Sequence, residues 1–200
     1  MDLNPNHADY LKQIESRYNE CGWKVKIMTQ SGVSDHNGIS RFYTDKAYKK
    51  LEWGGGILHP KIIKIAKDNI MDKENSNFSK ITLIRLSKFL KDVVGKRIVP
   101  VLPSQSSPPR VVMKMGIEGS EVDVIPDLIF NGGLQYINIL MVEWHARLEN
   151  LPERQKSQHL LQQTVKLLSD YSKTMKDKGA KYNFSLVNMD DIQIEMKMEL

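Results

Sequence analysis

The chain has 200 residues, 40% of them hydrophobic, and a formal net charge of +5, which is enough length and apolar content for one domain, 1–200, with its own core. Its basic residues are scattered or mixed with acids, as in Lys46 to Lys50 and Lys61 to Lys67, whereas phosphate binding needs a clustered stripe, so no nucleic-acid partner is expected. A single cysteine, Cys21, excludes an intrachain disulfide and leaves no Cys/His spacing for zinc; no run is long and apolar enough for a membrane span, and the expected setting is a reducing compartment, the cytoplasm.

Asn6 is placed to cap a first helix, with Leu11, Ile14, Tyr18 and Cys21 at helical spacing on its apolar side and Gly22 at its end. Trp23 to Met28 then alternates as a strand, and Ser31 to Asp35 is a polar turn. Asn37-Gly38 is a hairpin-type turn leading into an antiparallel or edge strand over Ile39 to Tyr43. Gly54-Gly55-Gly56 lacks both the Lys-Ser/Thr of a phosphate loop and a preceding apolar strand, so it is read as a loop. Residues 62–66 fit a helix or a strand equally, and residues 72–77 read as loop.

Lys80 to Leu86 alternates as a strand, and Ser87 caps a short helix that Gly95 closes. A loop rich in Pro and Ser follows over Pro100 to Pro109. Val111 to Met115 reads as a buried parallel strand, with Lys114 in want of a carboxylate partner. A helix from Ser120 to Leu134 is expected to break near Pro126. The next strand is Ile137 to Val142. Pro152 opens a long helix with a buried stripe of Leu161, Thr164, Leu168, Tyr171 and Met175, and Lys178-Gly179 ends it. Tyr182 to Val187 and Ile192 to Met198 are the last strands, joined by a turn at Asp190-Asp191. Helices between parallel strands, with a strand pair at the C-terminus, make an α/β three-layer sandwich.

In open α/β sheets the chemistry lies beyond the carboxyl ends of the strands. Two adjacent strands here end in polar groups: Glu118 and Glu121 after the first, Glu143 and His145 after the second. Glu143 and His145 share a parity and so point to one side. An imidazole titrates near neutral pH and a nearby carboxylate raises its pKa, which suits this pair to acid/base work or substrate positioning. Glu118 fits a base or a positioning carboxylate, and Glu121, at a helix start, fits capping.

The run Lys114-Met115-Gly116-Ile117-Glu118-Gly119-Ser120-Glu121 resembles the K-x-D-x-E-G-x-E signature of FkbM-type methyltransferases. Val142-Glu143-Trp144-His145 is similar to the end of that family's next strand, Asp2-Leu3-Asn4-Pro5 to its acidic-x-Asn-Pro element, and Gly32-Val33-Ser34-Asp35 with Gly38 and Phe42 to the segment after its third strand. The resemblance implies a Rossmann-like fold with a mostly parallel sheet and an antiparallel C-terminal strand. It implies S-adenosylmethionine as cofactor and methyl transfer to a hydroxyl of a small molecule or glycan. Catalysis would fall to Glu118, Glu143 and His145, and cofactor binding to Asp2, Asn4, Ser34, Asp35 and Gly116. Asp2 would accept from the ribose hydroxyls, or is simply a terminal residue; Ser34 and Asp35 would lie near the adenine, or form an ordinary polar turn. The sequence departs from the family at Gly116, where an aspartate is expected, and at its start, where the first strand and glycine-rich turn are missing. Two alternatives to an enzyme follow: a truncated, inactive remnant of such a domain, or a non-catalytic α/β nucleotide-binding or interaction module.

Overall fold

The computed structural model describes residues 1–44, 55–56, 78–98, 109–145, 152–179 and 184–189. The fold is mixed α/β, its strands mostly parallel, and the chain divides into two compact units, Met1–Arg85 and Leu86–Leu200. No helix among the described residues is long and apolar enough to cross a membrane.

In the first unit, a 3-10 turn at Pro5–His7 leads into helix α1 (Ala8–Glu20). Asn4 rather than Asn6 is the capping residue, and it caps the 3-10 turn, its side chain accepting from the Asn6 backbone N–H; α1 itself has no side-chain cap. The apolar side of α1 is covered only near its start, so Tyr18 and Cys21 are exposed, and Tyr18 packs edge-on against Trp23 instead. The strand expected at Trp23 to Met28 does not form. Its backbone is bonded to α1 side chains: the Asn19 amide exchanges two hydrogen bonds with Val25, and Glu15 accepts from the Ile27 N–H. Groups taken by side chains have no ladder to offer.

Ser31 to Asp35, read as a turn, is instead strand β1 (Ser31–Ser34). It joins β2 (Gly38–Thr44), β3 (Gly55–Gly56) and β4 (Phe78–Arg85) in the order β1-β4-β2-β3. β4 runs parallel to β1 and antiparallel to β2. Asn37-Gly38 is therefore no hairpin between paired strands: Asn37 reaches across to accept from the Arg85 N–H. Gly55-Gly56, expected as a loop, pairs with Tyr43 and Thr44. Phe42, Ile81 and Leu83 form the core of this sheet, with Leu3 against them. Gly32 permits that approach, since a Cβ there would stand 2.4 Å from Leu3 Cδ2.

The second unit opens with α2 (Leu86–Phe89), which runs directly into a π-helical turn at Leu90–Val94. Ser87 is buried within α2, not its cap. Then come β5 (Val112–Met115), α3 (Glu121–Phe130), a 3-10 turn at Gly133–Tyr136, β6 (Ile139–Val142), α4 (Pro152–Asp177) and β7 (Ser185–Asn188). The three strands are parallel, in the order β5-β6-β7. That makes two successive β-α-β units. Pro126 does not break α3. A proline inside a helix costs about 3 kcal/mol, and burial of Val122, Val124, Ile125 and Leu128 returns roughly 1.5–3 kcal/mol each.

The buried stripe of α4 is rotated from the expected one. Val165 and Ser172 are buried at its centre, Leu161, Leu168 and Met175 are half-buried, and Thr164 and Tyr171 are exposed. The serines explain the shift. Ser172 Oγ accepts from the Phe184 N–H at 2.7 Å and Ser169 Oγ from the Leu186 N–H at 3.1 Å, so this face serves the backbone of the β7 segment. Lys114 is exposed on β5 and makes no ion pair among the described residues. The expected turn at Asp190-Asp191, the strand over Ile192 to Met198 and the segment 62–77 lie outside the described residues, as does most of the Pro/Ser loop.

Candidate functional site

The register of β5 on β6 builds the site. Asn138 clamps the start of the pair: its Oδ1 accepts from the Val111 N–H at 2.8 Å, and its own N–H donates to the Val111 carbonyl at 2.9 Å. Pairing then runs from Val112↔Ile139 to Met115↔Val142, and the Glu143 N–H donates to the Met115 carbonyl. Strand alternation buries Leu140, Val142 and Trp144 and turns Glu143 to the opposite face. Gly116 thereby falls beside Glu143: a Cβ at Gly116 would lie 3.3 Å from Glu143 Oε2 and 3.8 Å from His145 Cε1.

Beyond Gly116 the chain turns sharply. Glu118 has φ +53° and Gly119 φ +97°. A left-handed conformation costs a residue with a Cβ roughly 1–2 kcal/mol, and only glycine takes it freely. Glu121 compensates. Its carboxylate is fully buried, yet Oε1 accepts from the Ile117 N–H at 2.8 Å and Oε2 from the Gly119 N–H at 2.9 Å. Arg154, in the first turns of α4, holds the same turn from outside, donating to the Gly119 carbonyl and to both carboxylate oxygens of Asp123.

Glu121 has a third partner, His145 Nδ1, at 2.9 Å from Oε1. With both oxygens accepting backbone N–H groups, the carboxylate is an acceptor throughout, so Nδ1 carries the hydrogen and donates it. The neutral imidazole then has its lone pair on Nε2. That atom faces Glu143 Oε1 at 3.5 Å and Glu118 Oε1 at 3.9 Å. Both distances are long for a direct hydrogen bond, so Nε2 is not tied down. The histidine side chain is 7% exposed, against 26% for Glu143 and 43% for Glu118. Burial pushes the imidazole pKa down, but the Glu121 hydrogen bond and the charges of Glu121, Glu118 and Glu143 outweigh it and hold the pKa above the ordinary 6.5.

The structure thus brings Gly116, Glu118, Glu143 and His145 together at the ends of β5 and β6. The remaining candidates lie in the first unit, in two hydrogen-bonded groups. Asp2 makes an isolated parallel bridge with Thr29, its N–H donating to the Met28 carbonyl and its own carbonyl accepting from the Ser31 N–H. Its carboxylate accepts from the Asn4 N–H through Oδ1 and lies 3.3 Å from His7 Nδ1, while the Asn4 amide lies 3.3 Å from His7 Nε2. Ser34 is buried at the end of β1, donating to Asp35 Oδ1, which His36 Nδ1 meets at 2.6 Å. The His36 hydrogen bond holds the Asp35 carboxyl below the usual carboxylate range. None of these residues lines the open groove of about 700 Å³ beside α1, where Glu15 and Asn19 are already bonded to the 25–27 backbone.

No family model, curated protein or solved structure matches this chain. Two members of the site escaped the sequence reading. Glu121 was legible as an acid at a helix start, but not as the partner of a residue 24 positions away. Arg154 had no signal beyond its place in the first turns of a long helix. Among the described residues no group of three or more His, Cys, Asp and Glu side chains has a geometry that holds a metal ion.

Proposed function

We propose that the chain is a Rossmann-like, three-layer domain of methyltransferase descent that transfers a methyl group to a hydroxyl of a small molecule or glycan. The observation that carries this reading is the Glu121–His145 hydrogen bond, which leaves Nε2 as a proton acceptor among two further carboxylates. The two successive β-α-β units support the fold, and the motif order supports the family. S-adenosylmethionine, when bound, supplies an activated methyl group. What remains for the protein is to orient the acceptor and take up one proton. His145 Nε2 takes the hydroxyl proton. Glu121 stabilises the resulting imidazolium through Nδ1, and Glu143 and Glu118 stabilise it from the other side while accepting hydrogen bonds from the substrate.

The family resemblance assigns the nucleoside part of this cofactor to residues of the first unit. Asp2 has two acceptor oxygens, suited to a vicinal diol, with lone pairs beyond those used by Asn4 and His7. Asp35 keeps Oδ2 available to an amino group once Oδ1 has taken Ser34 and His36. Asn4 shapes the Asp2 group, and Gly116 keeps the space beside Glu143 open. Gly116 also favours a second reading, an inactive remnant, because it removes the carboxylate that the family motif has there.

Calorimetric titration with S-adenosylmethionine separates the two. Binding heat, with methyl transfer lost in His145→Ala and Glu143→Gln while binding persists, supports the enzyme. No heat at millimolar cofactor supports the remnant. Unchanged turnover in both variants removes these residues from the site.

A further inference from the structure

Helix α4 is 26 residues long and carries more apolar surface than its own sheet covers. Next to the half-buried Leu161, Leu168 and Met175 lies a second stripe, of Leu160, Thr164, Leu167, Tyr171 and Thr174. Leu160, Leu167 and Tyr171 are 62%, 69% and 62% exposed. The spacing alternates four and three, the heptad pattern of a helix that pairs with another helix. The two threonine hydroxyls on this stripe are already used within the helix. Thr164 Oγ1 donates to the Leu160 carbonyl and Thr174 Oγ1 to the Asp170 carbonyl. Lys166 and Asp170, paired to each other, flank the stripe, and the side opposite it is the covered one, with Val165 and Ser172.

We infer that this stripe is a homodimer interface, in which α4 of one copy packs antiparallel against α4 of a second. The occupant follows from self-complementarity. With the two-fold axis between Thr164 and Leu167, each small Thr164 meets the Leu167 of the other copy. Leu160 meets Tyr171, and Leu161 meets Leu168. The flanks match as well: Lys156 faces Asp177, and Glu153 faces Lys178, each pair occurring twice. None of these four side chains is in an ion pair of its own among the described residues. A parallel pairing would set Glu153 against Glu153 and leave Lys156 without an acidic partner. The axis falls near the middle of α4, so the two helices overlap over nearly their whole length, roughly 39 Å at about 1.5 Å per residue.

Sedimentation velocity across a dilution series tests this on the full chain. The mass should rise with concentration from 23.0 kDa toward twice that value. Leu167→Glu, at an exposed position, should abolish the rise with an unchanged circular dichroism spectrum. Lys156→Glu should weaken association several-fold, and adding Asp177→Lys to it should restore the wild-type value. A monomer throughout, a dimer indifferent to Leu167→Glu, or a double reversal that fails to restore association would each overturn the inference.

Discussion

Glu121 shows how one side chain can hold a site that none of its neighbours could hold alone. A buried carboxylate is costly unless every lone pair is used, and here it binds two backbone N–H groups of the turn and one imidazole N–H. Glu121→Ala would strand all three donors in the interior. The expected loss is about 3–5 kcal/mol of stability by urea denaturation, as for any buried ion pair that loses a partner. Glu121→Gln keeps the shape but removes the charge, so burial gains over attraction and the His145 pKa should fall; an unmoved titration would show that Glu121 does not set it. His145 and Glu143 were legible because they end an apolar run with shared parity. The part played by Glu121 was not, because a helix-start acid has a sufficient local explanation and its true partner comes from another strand.

At the scale of the elements, the site is a consequence of register. The Asn138 clamp on Val111 fixes which residue faces which, and a slip of one residue would turn Glu143 into the core and Trp144 out of it. Asn138→Ala should cost roughly 1–2 kcal/mol by leaving the Val111 N–H without its acceptor, measurable as a lower urea midpoint. Gly116→Asp would place a carboxylate against Glu143 and His145; it should raise the His145 pKa further, read by imidazole NMR. β6 was legible because its periodicity comes from burial on its own sheet; β5 was placed by its apolar run but is not buried throughout, with Val112 and Lys114 exposed, and α3 passes the proline at which a break was expected. The segment from Trp23 to Met28 also alternates, but α1 side chains take its hydrogen bonds, and no periodicity reports that. The stripe on α4 was misjudged for a related reason: the apolar face is wider than the covered one, and buried serines mark the covered part.

For the molecule as a whole, the candidate residues divide between the two compact units, with Gly116, Glu118, Glu143 and His145 all in Leu86–Leu200. The stability of that unit should therefore carry the signature of one histidine. A raised folded-state pKa means that the protonated form favours the fold. This contribution is fully present below the unfolded value near 6.5 and is lost as pH rises through the higher folded value. The wild type minus His145→Asn stability difference should shrink across that window and level off above it. The measurement closest to the central claim is the imidazole nitrogen NMR titration of His145 in the wild-type chain. A midpoint above 6.5, with the Nδ1–H tautomer on its alkaline side, is the predicted result; a midpoint below 6.5, or an Nε2–H tautomer, would contradict a histidine held by Glu121 with Nε2 ready to take a proton.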